Sequence, residues 1–162
     1  MVSDFELVLR GITPPTYTEN IEEVAIKFLK CIGYLPARID PKSGASSVRE
    51  SIAYRVFMEC FMMHPDRMWS VDEIAAYLGT TKASVYRYIN RLKRLDLLEE
   101  ANVREGKNRA KKTYRIRYGN LRKAWNFVEA NAHLVLENYR EIASHLQKIV
   151  DKVRGGVNER EG

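Results

Sequence analysis

The stretch Trp69-Ser-Val-Asp-Glu-Ile-Ala-Ala-Tyr-Leu-Gly-Thr-Thr-Lys-Ala-Ser-Val-Tyr-Arg-Tyr-Ile-Asn-Arg-Leu-Lys-Arg-Leu-Asp-Leu-Leu-Glu99 decides the fold. Ser70 stands three residues before Glu73, the spacing of a capping box, in which each side chain satisfies a free N–H at a helix start. Ile74, Ala75, Tyr77 and Leu78 follow as an apolar set, and Gly79 is a stop. Thr81 is placed to cap a second helix running to about Leu95. On that helix Val85, Ile89 and Leu92 make one face at helical spacing. Lys82, Ala83, Tyr86, Arg87, Asn90, Arg91 and Arg94 lie on the other sides.

Working outward, Ser47 and Glu50 also fit a capping box, followed by a broad apolar face of Ala53, Val56, Phe57, Cys60, Phe61 and Met63. Pro65 ends that helix, and Trp69 sits in a short extended piece. Downstream, Leu97–Val103 and Thr113–Tyr118 read as two strands. In the second, Tyr114, Ile116 and Tyr118 alternate with Arg115 and Arg117. Between the strands the turn Arg104–Lys112 carries five cations. Helix, short extended piece, helix, tight turn, helix and two strands around a basic turn is the order of a winged helix-turn-helix. The predicted class is therefore mainly α, with a two-stranded wing.

From about Ser47 to Tyr118 the chain resembles the MarR-type regulators and their GbsR-like and ArsR-like relatives. Ser70, Glu73, Ala75, Leu78, Gly79, Lys82, Val85, Arg87, Arg91, Leu92 and Leu97 fall on positions of the family pattern. Asp96 departs from it, standing where the family has glycine, and the wing lacks the Asp-x-Arg of MarR proteins. Asp tolerates a left-handed backbone better than most residues. The resemblance implies a transcriptional regulator, a dimerising final helix, and a small-molecule effector held between the winged domain and the dimer helices.

The residues carry a DNA reading without the resemblance. An α-helix fits the DNA major groove, where Arg87, Asn90 and Arg91, flanked by Lys82, Tyr86 and Arg94, can bond base edges. Thr80, Thr81 and Ser84 stand at the helix start, which suits phosphate. Lys107, Arg109, Lys111 and Lys112 in the wing suit backbone or minor groove. Charge supports this. Residues 80–123 hold 14 Lys or Arg and four Asp or Glu, a net of +10, inside a chain of net +6. A basic block in an otherwise acidic protein faces a polyanion. The expected function is sequence-specific binding of double-stranded DNA by helix 81–95 and wing 104–112. Two alternatives remain: a winged helix that docks protein, and a protein that compacts DNA without reading sequence.

The C-terminal segment has the most regular pattern. Leu121, Trp125, Val128, Ala132, Val135, Tyr139, Ile142, Leu146, Ile149 and Val153 are spaced by alternating fours and threes. Such a stripe seeks another helix, and the expectation is a homodimer joined through it as a coiled coil. Leu136, Ala143 and Val150 widen it. At the other end, Thr18 or Asn20 caps a first helix whose buried face is Ile21, Val24, Ala25, Phe28, Leu29 and Ile32. Leu35–Ser46, rich in Pro, Gly and Ser, reads as a loop. The expected divisions are 1–46, 47–118, 119–154, and a polar, disordered tail at 155–162.

Other chemistry is sparse. His64, His133 and His145 are far apart and lack metal-ligand spacing. Cys31 and Cys60 lie on apolar faces and read as small hydrophobes. No P-loop, Gly-x-Ser-x-Gly or Cys-x-x-Cys occurs, so neither an enzyme nor a cofactor is expected. No apolar run is long enough to span a bilayer, no membrane partner is expected, and Met1–Arg10 lacks a basic leader; the cytoplasm is the expected location.

Overall fold

The computed structural model describes residues 4–11, 18–36, 45–104, 106–107 and 109–160. The chain forms two units, Met1–Val128 and Glu129–Gly162.

In the first unit, helix α1 (Ile21–Cys31) starts at Asn20, whose side chain accepts from the backbone N–H groups of Glu22 and Glu23. Ala25 and Leu29 are buried, as is Ile32 just past its end. Ile21 and Val24, expected inside, are 54% and 49% exposed. The buried line runs along positions four and three apart. Val24 lies about 100° around the helix from Ala25 and falls off that line. The loop expected at Leu35–Ser46 lies largely outside the described residues, at 37–44.

The helix expected from Ser47 is two helices, α2 (Ala45–Glu50) and α3 (Ile52–Arg55). The Ser47 side chain is outside the described set. The break comes at Ser51, which is extended and whose hydroxyl accepts from the Tyr54 N–H at 3.2 Å. From α3 the backbone continues as a π-helix over Val56–Met62, with Val56, Phe57, Met58, Cys60 and Phe61 buried. Tyr34 is buried beside α3, and its hydroxyl donates to the Ala53 carbonyl at 2.5 Å. Burial pushes that phenol well above its usual range.

Three antiparallel strands form the sheet, in the order β1, β3, β2: β1 is Trp69–Ser70, β2 is Leu98–Val103 and β3 is Lys111–Ile116. Trp69 pairs with Tyr114, and Leu98 with Ile116. The short extended piece at Trp69 is thus a third strand. Arg117 and Tyr118, expected in the last strand, belong to a 3-10 turn, Arg117–Gly119. Tyr118 and Gly119 take left-handed φ of 59° and 60°, which turns the chain out of the sheet. A Cβ on Gly119 would stand 2.9 Å from the Pro65 carbonyl oxygen. Gly119→Ala is therefore expected to cost about 1–3 kcal/mol, read as a lower denaturant midpoint at unchanged slope.

Helices α4 (Val71–Leu78) and α5 (Lys82–Arg94) lie on this framework. Trp69, Ile74, Val85, Ile89, Leu92, Leu97 and Ile116 are all buried with Phe57 and Phe61 in one core. The start of α6 (Leu121–Arg160) completes it. Ala124 and Val128 are fully buried, while Leu121 and the Trp125 ring pack on the core, the latter 5.6 Å edge-on from Phe28. Val128 is thus filled by the chain's own core, while Leu121 and Trp125, expected in the dimer seam, are partly buried against it. An extended N-terminal segment also joins the unit. Phe5 and Leu7 pack on the core, and the Glu6 N–H donates to the Arg94 carbonyl at 3.0 Å. No periodic pattern marks so short a segment.

The second unit is the remainder of α6. The tail expected at 155–162 is helical through Gly155 and Gly156 to Arg160. Ala132 and Val135 are half-buried, and Tyr139, Ile142, Leu146, Ile149 and Val153 are exposed.

Candidate nucleic-acid interface

The turn between α4 and α5 is set by two local devices. Ser70 and Glu73 form the capping box at the start of α4. Gly79, at φ 66°, ends the helix left-handed, and the Thr80 N–H returns to the Ala75 carbonyl at 3.0 Å. Thr80 is thereby half-buried in the turn. Thr81 caps α5, its hydroxyl accepting from the Ser84 N–H at 3.2 Å and donating to the Ser84 hydroxyl at 3.1 Å.

Val85, Ile89 and Leu92 are completely buried, so the opposite side of α5 faces outward. Lys82, Ala83, Tyr86, Arg87 and Asn90 are exposed there. Arg87 and Asn90 make no hydrogen bond or ion pair among the described residues. The partners that could have occupied Arg87 are taken: Glu99 pairs with Arg115, and Glu100 with Lys112 at 3.6 Å. Lys82 is tied across the turn to Asp72 at 2.9 Å. That hydrogen bond pulls the Asp72 carboxyl below its ordinary range and raises the Lys82 ammonium.

Arg91 and Arg94 have internal work. The Arg91 guanidinium donates to the Tyr34 carbonyl at 3.2 Å and lies 5.4 Å from the centre of the Tyr88 ring. Arg94 faces Glu6 at 4.0 Å. Arg91 ties α5 to the segment after α1 and Arg94 makes an exposed ion pair, whereas Arg87 and Asn90 make neither contact among the described residues.

The wing divides similarly. Lys107 and Arg109 are exposed in the turn, whereas Lys111 and Lys112 stand on β3 itself. Glu105 and Asn108 are outside the described residues. Arg115 and Arg117, which add to the basic block in the sequence, are paired internally, with Glu99 and with Asp96. Asp96 takes a left-handed φ of 60° at the exit of α5, and its carbonyl accepts from Arg117 Nε at 2.9 Å. The total charge of residues 80–123 therefore overstates what the surface offers a ligand.

Outside this face, Arg67 lies 3.6 Å over the Trp69 ring, whose buried indole N–H has no partner among the described residues. Burial pushes the Cys60 thiol up to about 12, which keeps it protonated. No group of three metal-ligating side chains occurs among the described residues. No helix among them is long and apolar enough to cross a membrane.

Residues 57–101, from the π-helix through most of β2, match the IclR helix-turn-helix domain. The chain is a DNA-binding transcriptional regulator. The match covers the turn, both of its helices and the entry to the wing, so a winged-helix regulator is established in outline. Over this segment the chain is similar to the IclR domain, and the MarR, GbsR and ArsR expectation is not specifically supported. No curated protein matches the chain. Among solved structures, a mutant of ZitR from Lactococcus lactis is similar at 15% identity and a TM-score of 0.32, over 90% of this chain and all of that one. A likeness that loose carries no argument.

Proposed function

We propose that this regulator binds double-stranded DNA sequence-specifically as a homodimer, with α5 in the major groove and the 104–112 wing on the backbone or in the minor groove. The observation that carries the reading is the outer face of α5. Arg87 and Asn90 stand unpaired, among the described residues, over a face whose inner residues are fully buried. Arg can bond guanine through two acceptors, and Asn adenine through a donor and an acceptor. Lys82 and Tyr86 flank them. Thr80, Thr81 and Ser84 at the turn, with Lys107, Arg109, Lys111 and Lys112 in the wing, are the phosphate contacts of this reading. Arg91 and Arg94 serve it chiefly by holding α5 in place. The finer resemblance to MarR, GbsR and ArsR regulators rests on the residues at 70–97, and with it a small-molecule effector.

The test is Arg87→Ala, measured against a DNA site selected by the protein and against random duplex. Arg87 does not support the core, so the fold should hold. A loss of about 1–3 kcal/mol is expected on the selected site, with relaxed preference at one base pair per half-site and little change on random DNA. An equal loss on both would make Arg87 a phosphate contact. No loss on either would remove α5 from the interface.

A further inference from the structure

The exposed part of α6 has two unlike flanks. With Tyr139, Leu146 and Val153 as one seam position and Val135, Ile142 and Ile149 as the other, the residues just after the second set are Leu136, Ala143 and Val150, and then Val157. Those just before the first set are Asn138, His145 and Lys152. One flank is apolar over its whole length and the other is polar. Flank residues decide the direction in which paired helices run.

Two parallel helices would set the apolar flank of each against the polar flank of the other. Ala143 would meet Asn138, Val150 would meet His145, and Val157 would meet Lys152. Apolar surface and a cation would then share each edge, which leaves one poorly buried or the other poorly hydrated. Antiparallel helices set like against like: apolar flank on apolar flank, polar on polar.

Register follows from the same positions. Opposed helices centred near Ser144 pair Val135 with Val153, Tyr139 with Ile149, and Ile142 with Leu146, each taken from the other copy. Shifting by one heptad fails in both directions. One shift sets Val153 against Val128, which is fully buried in its own unit. The other sets Val135 against Arg160.

We propose that the α6 helices of two copies pair antiparallel about Ser144, with Ala143 of each copy adjacent at the centre of the apolar flank. The proposal rests on the homodimer reading and specifies its geometry. Tyr139, Ile142, Leu146 and Val153, between 60% and 66% exposed in the single chain, are the surface it covers.

The experiment is cysteine cross-linking of the full-length chain with Cys31 replaced by Ser and the buried Cys60 left in place. Tyr139→Cys and Ile149→Cys are made separately, with tags of different mass. Under mild oxidation, neither variant alone should form a covalent dimer. In the antiparallel pair each residue stands ten positions along the axis from its own copy, roughly 15 Å. That exceeds the ~7 Å reach of a disulfide. Co-expressed, the two should form a mixed covalent dimer. Ala143→Cys removes no apolar surface, so it tests the pairing even where the other variants weaken it, and it should cross-link to itself. Self-cross-linking at positions 139 and 149 without the mixed species would overturn the direction and leave the dimer standing. A monomer in sedimentation of the unaltered protein would overturn the homodimer reading itself, and the proposal with it.

Discussion

Ile142→Asp combined with Leu146→Asp is expected to convert the protein to monomers and to weaken binding to a two-half-site operator by at least about 100-fold. Both side chains are more than half exposed in the single chain, at 66% and 60%, so neither holds the first unit together. In a homodimer both enter the seam, where unpaired carboxylates would have to be desolvated or to break the contact. Each recognition helix would then bind its half-site without the other, and the gain from joining two sites on one particle, typically 10²–10⁴, would vanish. Sedimentation and operator titration check the two halves of this prediction. Circular dichroism should show the winged domain retained. A double variant that stays dimeric would place the dimer contact elsewhere on the chain.

Replacing Lys107, Arg109, Lys111 and Lys112 by Ala should weaken binding to selected and random DNA alike. It should also reduce the slope of log affinity against log salt by about 3. Each phosphate contact releases a condensed counterion and contributes roughly 0.9 to that slope. Four contacts would give a somewhat larger change, but Lys112 is already held 3.6 Å from Glu100 and contributes less. The effect should be uniform because phosphates carry no sequence code. Affinity measured from about 50 to 200 mM salt decides it. An unchanged slope would take the wing off the DNA. A loss confined to the selected site would make the wing a reader of bases.

The helix-turn-helix was legible because its signals are local. A capping box at Ser70, a left-handed stop at Gly79 and a cap at Thr81 act within a few residues of themselves. Their outcome does not depend on what the rest of the chain does. The apolar period of Val85, Ile89 and Leu92 likewise determined which side of α5 is inside, and so which residues face out.

Three things needed the tertiary structure, each because it depends on residues distant in sequence. The first is which cations are free. Arg91 reaches the Tyr34 carbonyl across 57 residues, and Arg117 reaches Asp96 across 21, so counting charges along the chain cannot separate ligand contacts from braces. The second is how the apolar stripe of α6 is shared. Its period is unbroken from Leu121 to Val153. Yet Val128 is filled by the chain's own core, while Ile142 is left exposed, because the core formed by α1, α3 and the sheet extends no further along the helix. The third is the joint between sheet and α6. Tyr118 continues a period-two pattern that reads as strand, but the packing of Gly119 against Pro65 needs a turn there. Periodicity determined which faces of the helices and strands are apolar; tertiary packing decided which of those faces are already covered, because burial depends on partners that no local pattern contains.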